Sequence, residues 1–331
     1  MNIKKPIILG EFVGNGDNMG WLWYHEHHCR LAIVGDSKKT PKIGLLKGIA
    51  NVIAKDDPKA VFWITDRDSV TLSEVFPTDK ILYVEHTPDP PVEDEHRVHF
   101  IAHRKFFSSN YFNLLAKIHG IARRDLVPPA SYRQHMEGPL AGYIRSIEQS
   151  EGFHKQWLLD QIGQLEVVNW KKTQEGNKFV LSKGGIHETA LSFLIASWSI
   201  WSHIVAMKNP QQFLLILEVP EELLAYEDEE IRSVVNGILE IMTYMTHAVT
   251  MTCIVSMEKD VQIMHDLKYR YELFFDTGTK GSYQGSFMED VHQMWNQGEN
   301  DVGVWLDHAL SQYFIIRFNK EHVTYMEEEL D

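Results

Sequence analysis

Short apolar runs alternate along this 331-residue chain with stretches in which apolar residues recur every three or four positions. The first pattern suits buried strands and the second suits helices with one covered face. Ile7 to Val13 reads as a strand, and the Gly/Asn/Asp-rich segment Gly14 to Gly20 as the turn of a hairpin. Trp21 to Arg30 leads into a short buried strand, Leu31 to Val34. Ile43 to Ala54 then carries Ile43, Leu46, Ile49 and Ile53 on one helical face. Ala60 to Thr65 is a second buried strand with a polar exit at Asp66, Arg67 and Asp68. Ile81 to Glu85 and Val98 to Ala102 read as short strands around the Pro-rich loop Thr87 to Val92. Phe106 to Gly120, Ser131 to Ser150 and Gly152 to Leu165 read as helices. Lys178 to Ser182 is a strand, and a turn at Gly184 and Gly185 precedes a long apolar helix. Strand, helix and strand follow at Phe213 to Leu217, Glu229 to Tyr244 and Val249 to Val255. Tyr271 to Phe275, a helix near Phe287 to Asn296, and the pair Val302 to Leu306 and Tyr313 to Phe318 complete the pattern. Strands alternating with helices predict an α/β fold, with a mostly parallel sheet covered on both faces.

Composition narrows this picture. With 44% hydrophobic residues, nine tryptophans and sixteen phenylalanines, the chain can bury one large core or two modest ones. Its two cysteines, Cys29 and Cys253, offer no disulfide framework, and no secretory leader is apparent, so a cytoplasmic location is expected. Thr189 to Met207 lacks Asp, Glu, Lys and Arg and approaches spanning length, but its four serines and His203 favour a buried core helix over a membrane span. A net charge of −14 disfavours nucleic-acid binding by the chain alone, because such affinity comes mostly from cations that neutralise phosphates. Glu221 and Glu222, Glu227 to Glu230, and Glu327 to Glu329 concentrate the acidity. Arg104, Lys105, Arg123, Arg124 and Arg133 form the contrasting basic group.

Candidate chemistry centres on Leu31 to Ala50, which has the outline of a strand, phosphate loop and helix. A GxxxxGK[ST] loop wraps phosphates with backbone N–H groups, reaches them with a lysine and holds Mg²⁺ through a hydroxyl. The segment here is Gly35, Asp36, Ser37, Lys38, Lys39, Thr40, Pro41 and Lys42. Counting from Gly35, Thr40 replaces the second glycine, Pro41 the lysine and Lys42 the hydroxyl residue. Proline has no N–H to donate and fixes its own φ. A one-residue slip would let Lys42 act as the lysine, but with Pro41 where glycine is wanted.

Set in order, these pieces resemble the HerA/FtsK superfamily of ring-forming DNA-pumping ATPases, including the HerA and type IV secretion or conjugation branches. The resemblance is carried by ILGEFVGNG and HHCRLAIVGDS at the start, AVFWITDRDS as the second core strand and FLLILEVPEELL as the third. VTMTCIVSMEKDV, KYRYELFFDTG and VGVWLDHALSQYFIIRF follow as the next two strands and the closing hairpin. It implies a P-loop NTPase (RecA/FtsK-like) three-layer fold with a helical insertion. The core would comprise residues 1–104, with a small β lead-in over 1–30, and residues 176–331. The insertion would comprise residues 105–175. In such proteins an aspartate ends the third core strand, next to a glutamate that activates water. Glu218 and Val219 stand there, and valine cannot accept a proton. Glu221 lies one turn farther on. Where the sensing strand should end in a polar residue and an arginine, the chain has Ser256, Met257, Glu258 and Lys259, and Glu258 would repel phosphate.

Loop, base and sensor thus depart together, and the resemblance implies a degenerate, non-hydrolysing pseudo-ATPase. No cofactor is expected, with residual ATP and Mg²⁺ as the exception that a loop lysine would permit. Partners would be proteins: an active homologue or further copies of this chain in a DNA-translocation, conjugation or phage-type assembly. Two alternatives remain open. One is an enzyme using Lys38, Lys39 or Lys42 for phosphate and Glu218 or Glu221 for metal. The other is a module that senses nucleotide or nucleic acid without turnover. His25, His27 and Cys29, on one face of an extended segment with Glu26 and His28 between them, are weak metal-ligand candidates.

Overall fold

The computed structural model describes residues 6–23, 30–57, 60–66, 96–119, 178–181, 184–206, 212–225, 227–249, 251–259, 269–277, 286–318 and 323–325. Within them one sheet is formed by β1 (Ile7–Phe12), β2 (Asn18–Trp21), β3 (Arg30–Val34), β4 (Val61–Thr65), β5 (Lys178–Val180) and β6 (Phe213–Glu218) with β7 (Met251–Met257), β8 (Tyr271–Phe274), β9 (Val302–Asp307), β10 (Gln312–Arg317) and β11 (Thr324–Tyr325). The helices are α1 (Lys42–Asp56), α2 (Arg97–His119), α3 (Ile186–Ala206), α4 (Glu221–Ala225), α5 (Glu229–Ala248) and α6 (Ser286–Asn296).

The strand order is β11-β1-β10-β9-β8-β3-β7-β6-β4-β5, with β2 paired to β1. From β8 to β5 every neighbouring pair is parallel, and β9, β10, β1, β2 and β11 extend the sheet in antiparallel fashion. All residues of β4, β6 and β7 are buried, which explains why these strands read as unbroken apolar runs.

Side-chain alternation divides the core into two layers. Leu31, Ile33, Val61, Trp63, Leu214, Ile216 and Ile254 pack with Leu45, Leu46, Ile49 and Ile53 of α1 on one face. Ala32, Val34, Phe62, Leu215, Leu217 and Val255 face α2, α3 and α5 on the other. Helix, sheet and helix thus form the three layers expected from the sequence. Helix α5 begins at Asp228, whose side chain accepts from the Glu230 N–H at 2.8 Å and so satisfies a first-turn donor. Lys117 of α2 reaches the same turn, 3.3 Å from Asp228 and 2.7 Å from Glu230.

One sequence expectation is corrected here. Val98 to Ala102 is not a strand but the opening of α2, a single helix that begins at Arg97 instead of Phe106. Phe100, His103, Phe107, Tyr111 and Leu114 are buried at helical intervals, while Val98 and Ile101 are 75% and 44% exposed. A short apolar run contains too few periods to separate the two patterns. The other predicted elements among the described residues lie within a few residues of their expected bounds, while β2, α4 and β11 have no counterpart in the predicted elements. The expected boundary between 104 and 105 falls inside α2. The strand expected at 81–85 and the helices expected at 131–150 and 152–165 lie outside the described residues. Among the described residues, no helix is long and apolar enough to cross a membrane; the 189–207 segment largely coincides with the buried α3.

Candidate phosphate-loop site

The parallel strands end together at one edge of the sheet. Val34 of β3 is in register with Met257 of β7 and Phe274 of β8, and Glu218 of β6 with Ser256 of β7. This carboxyl edge is where open α/β sheets place their ligands, at the point where the strand order reverses. Here that point is β3: its helix α1 carries the chain across to β4, whereas β8 lies on the other side of β3. Numbered along the chain, β3, β4, β6, β7 and β8 stand in the order 5-1-4-3-2, and the loop from Gly35 to Pro41 joins the central first strand to α1. That is the order of a RecA/FtsK-like core with its phosphate loop in place. The chain has a RecA/FtsK-like P-loop NTPase fold.

Within this framework the loop is held by contacts to its own chain. The Gly35 N–H donates to the Met257 carbonyl at 3.1 Å and the Asp36 N–H to the Asp276 carbonyl at 3.1 Å. The Asp36 carbonyl accepts from the Lys39 N–H at 3.1 Å, the Thr40 N–H at 2.9 Å and the Thr40 hydroxyl at 2.8 Å. The Lys38 N–H donates to Asp36 Oδ1 at 2.8 Å. Gly35 has a packing role: a Cβ there would lie 2.7 Å from Phe275 Cβ, so the strand-end approach requires a residue without one. Pro41 occupies the N-cap of α1 with φ −74° and ψ 8°, and supplies no side-chain cap.

Lys42 is the first residue of α1, and its side chain is 1% exposed. Its ammonium donates to the Met257 carbonyl at 2.8 Å and lies 3.2 Å from Glu258 Oε1. Glu258, just beyond β7, also accepts from the Ser37 N–H at 2.8 Å and from the Ser37 hydroxyl. A carboxylate therefore receives a backbone donor, a hydroxyl and a lysine, the donor set with which a phosphate loop meets an anion. Sequence counting aligned Pro41 with the phosphate lysine, whereas in the fold it is Lys42 that reaches from the start of the helix to the sensing strand. Lys38 and Lys39 are exposed, and Lys39 is 3.8 Å from Asp36.

At the end of the third core strand, Glu218 is 5% exposed and accepts from the Trp63 indole N–H at 2.7 Å. Strand alternation puts Glu218 on the α1 side, with Leu214 and Ile216. Val219 is 4% exposed, and its N–H donates to the Ser256 carbonyl at 3.0 Å. Glu221 begins α4 and forms an ion pair with Lys259. This pairing raises the Lys259 pKa, first through the hydrogen bond to Glu221. Glu218 ends β6 and Glu258 follows the neighbouring parallel strand β7, and each has partners of its own.

The sequence reading missed the Ser37–Glu258 and Trp63–Glu218 contacts, which join residues 221 and 155 positions apart. Matching strand parity was the only available signal for the second. His25, His27 and Cys29 lie outside the described residues, as do Arg123, Arg124 and Arg133. Among the described residues, no group of three or more His, Cys, Asp and Glu is placed to hold a metal ion. Cys253 is a buried residue of β7, and burial pushes its thiol pKa up to about 12, far from that of a reactive thiolate.

No family model matches the sequence, and no curated protein matches it. Among solved structures, VirB4 of Thermoanaerobacter pseudethanolicus is 12% identical with a TM-score of 0.49, over 96% of this chain and 97% of that one. ATPases 2 and 3 of Thermomonospora curvata EccC, in complex with a signal sequence peptide, are 12% identical with a TM-score of 0.38, over 98% of this chain and 41% of that one. The pCW3 conjugation coupling protein TcpA, in monomer form with ATPγS, is 8% identical with a TM-score of 0.36, over 97% of this chain and 68% of that one.

Proposed function

We propose that the protein is a non-hydrolysing FtsK/HerA-like subunit, a pseudo-ATPase with a structural or regulatory place in a DNA-translocation, conjugation or phage-type assembly. The observation that carries this reading is the carboxylate of Glu258, which takes the Ser37 N–H, the Ser37 hydroxyl and the Lys42 ammonium. The Lys38, Lys39 and Thr40 N–H groups are engaged with Asp36. A nucleotide phosphate placed on this loop would have to displace the chain's own anion. It would also meet Asp36 and the closed turn at Thr40. The residues in this arrangement do not fit ATP with Mg²⁺.

The hydrolytic groups support the same reading. Val219 stands where the general base is needed, and Glu218 holds an indole N–H through Oε1. In-line attack on a γ-phosphate requires a residue that orients and deprotonates water, which a buried valine cannot do. The net charge of −14 favours protein partners over direct nucleic-acid contact. Exposed Val98 and Ile101 at the start of α2 provide apolar surface that such contacts could use.

Purified protein titrated with labelled ATP and Mg²⁺ is expected to show neither saturable binding at millimolar nucleotide nor phosphate release. Hydrolysis that disappears in Glu218→Gln would overturn the reading. Mass in solution, alone and mixed with an active homologue, tests the assembly role: association supports it, and a monomer in both conditions counts against it.

A further inference from the structure

On the face of the sheet opposite α1, helices α2 and α5 leave a groove of about 810 Å³ between them. Phe106 of α2 lies over Gly237 of α5, where a Cβ would clash with the ring, so the two helices approach closely at that point. On the α5 side the groove is lined by Glu229, Ser233, Asn236, Glu240 and Tyr244. Steps of three or four residues put all five on one stripe of the helix. Glu229 and Glu240 stand about three turns apart on it, or about 16 Å along the axis. Neither carboxylate has an ion pair among the described residues. Arg232 also lines the groove, but the helical period turns it about 60° off the stripe. Its guanidinium lies 3.4 Å from the Glu227 carbonyl.

A second observation comes from the facing wall, where α2 presents Ala102, His103 and Phe106. His103 is 9% exposed, and its Nδ1 is buried with no hydrogen-bond partner among the described residues. Its ring meets the Tyr244 ring edge-on, with centroids 5.2 Å apart, and the Tyr244 hydroxyl lies 2.6 Å from His96 Nδ1. Burial, followed by the nearby His99, lowers the His103 pKa to about 4, so the imidazole is neutral and keeps one nitrogen as an acceptor. A buried polar atom without a partner costs free energy that a ligand group would recover. The described lining therefore sets two carboxylates against one guanidinium, beside aromatic rings and an uncharged imidazole. Such surroundings attract cations and repel phosphates.

We propose that this groove binds a linear alkyl polyamine, whose ammonium ends pair with Glu229 and Glu240 and whose methylenes lie along Phe106 and Tyr244. An extended tetraamine such as spermine has a length comparable with the spacing of the two carboxylates, whereas putrescine reaches only one of them. The inner amines donate to the Ser233 hydroxyl and the Asn236 side-chain oxygen, and His103 offers its acceptor nitrogen from the wall. A single exposed ion pair is worth little. Affinity comes from engaging several along one chain, where each contact raises the effective concentration of the next. The rings of Phe106 and Tyr244 add cation–π attraction. No residue of the loop after β3 takes part, so this site stands or falls independently of the pseudo-ATPase reading.

The full chain is titrated with spermine, spermidine and putrescine by calorimetry at physiological ionic strength, which screens the general field of an acidic protein. Spermine is expected to saturate one site with a Kd below about 1 mM, and putrescine to bind at least about tenfold more weakly. Glu229→Gln combined with Glu240→Gln is expected to weaken spermine at least about tenfold. Ser233→Trp, at an exposed position, fills the groove without touching the core and is expected to do the same. Glu222→Gln combined with Glu289→Gln removes equal charge from exposed positions outside the groove, and is expected to leave binding unchanged. The proposal is overturned if the folded chain binds no spermine, or if polyamine length makes no difference. It is also overturned if the control pair weakens binding as much as the groove pair, or if binding survives Ser233→Trp. An oligolysine peptide is the last arm: capture of the peptide without spermine assigns the groove to a basic segment of a partner protein and overturns the small-ligand reading.

Discussion

On the face covered by α2, α3 and α5, the sheet is sealed by aromatic rings. Under the N-terminus of α1, it is closed by a small set of polar groups. On the first face Trp198 stacks on Phe107 with ring centroids 5.8 Å apart, and Trp201 contacts Phe100 at 6.2 Å and Phe107 at 5.8 Å. The indole N–H groups of both tryptophans lack a hydrogen-bond partner among the described residues. That region tolerates unmade hydrogen bonds because large rings bury enough area to offset them. At the loop, Lys42 and Glu258 are placed by directional contacts, each of which needs a particular partner. Apolar packing is therefore broad and redundant, whereas the polar closure depends on single atoms.

The largest effect that would sharpen this contrast is expected from Trp201→Ala. Loss of a fully buried ring should cost about 3–5 kcal/mol of unfolding free energy, measured by denaturant titration. A loss below about 1 kcal/mol would show that the aromatic face is less tightly packed than its geometry implies. Next comes an asymmetry within the ion pair. Glu258→Ala should cost about 1–3 kcal/mol, because Lys42 stays buried and loses the Glu258 carboxylate. Lys42→Met should cost less, because Glu258 is 21% exposed and keeps both Ser37 donors and water. Equal losses would break the distinction between a buried cation and a half-covered anion.

The smallest expected effect is a pH dependence on the aromatic face. Burial, followed by the nearby His99, lowers the His103 pKa from 6.5 to about 4. His247 is lowered too, first by burial and then by Arg30 and His96. The unfolded chain therefore takes up protons that the folded state refuses. The His103 contribution is fully present above pH 6.5 and is lost as pH falls towards 4. Thermal midpoints across that window should fall on acidification, and the slope should be shallower in His103→Gln. An unchanged slope would remove His103 from the account.

Much of the fold was legible because burial writes itself into residue type. The runs AVFWIT and FLLIL are strands covered on both faces, and Leu46, Ile49 and Ile53 recur with the helical period that α1 buries. Val98 to Ala102 misled because a helix that leaves Val98 and Ile101 exposed does not look amphipathic over one and a half turns. At the site, the residue types themselves, Thr40 and Pro41 in the loop and Val219 after Glu218, could be read directly, since each is a single position in the chain. The role of Glu258 could not. Its sequence position suggested an acid that repels phosphate, whereas in the fold that acid occupies the loop's donors.

The sequence by itself determined the layers, the order of strands and helices along the chain, and the residue types at each strand end. It did so because hydrophobic periodicity and turn chemistry act over a few residues. Only the tertiary structure decided that Lys42 rather than Pro41 reaches the sensing strand, that Trp63 takes Glu218, and that Glu258 closes on Ser37. Those contacts join positions 155 to 221 residues apart. Local pattern holds no record of them, because directional hydrogen bonds depend on where the parallel strands end beside one another.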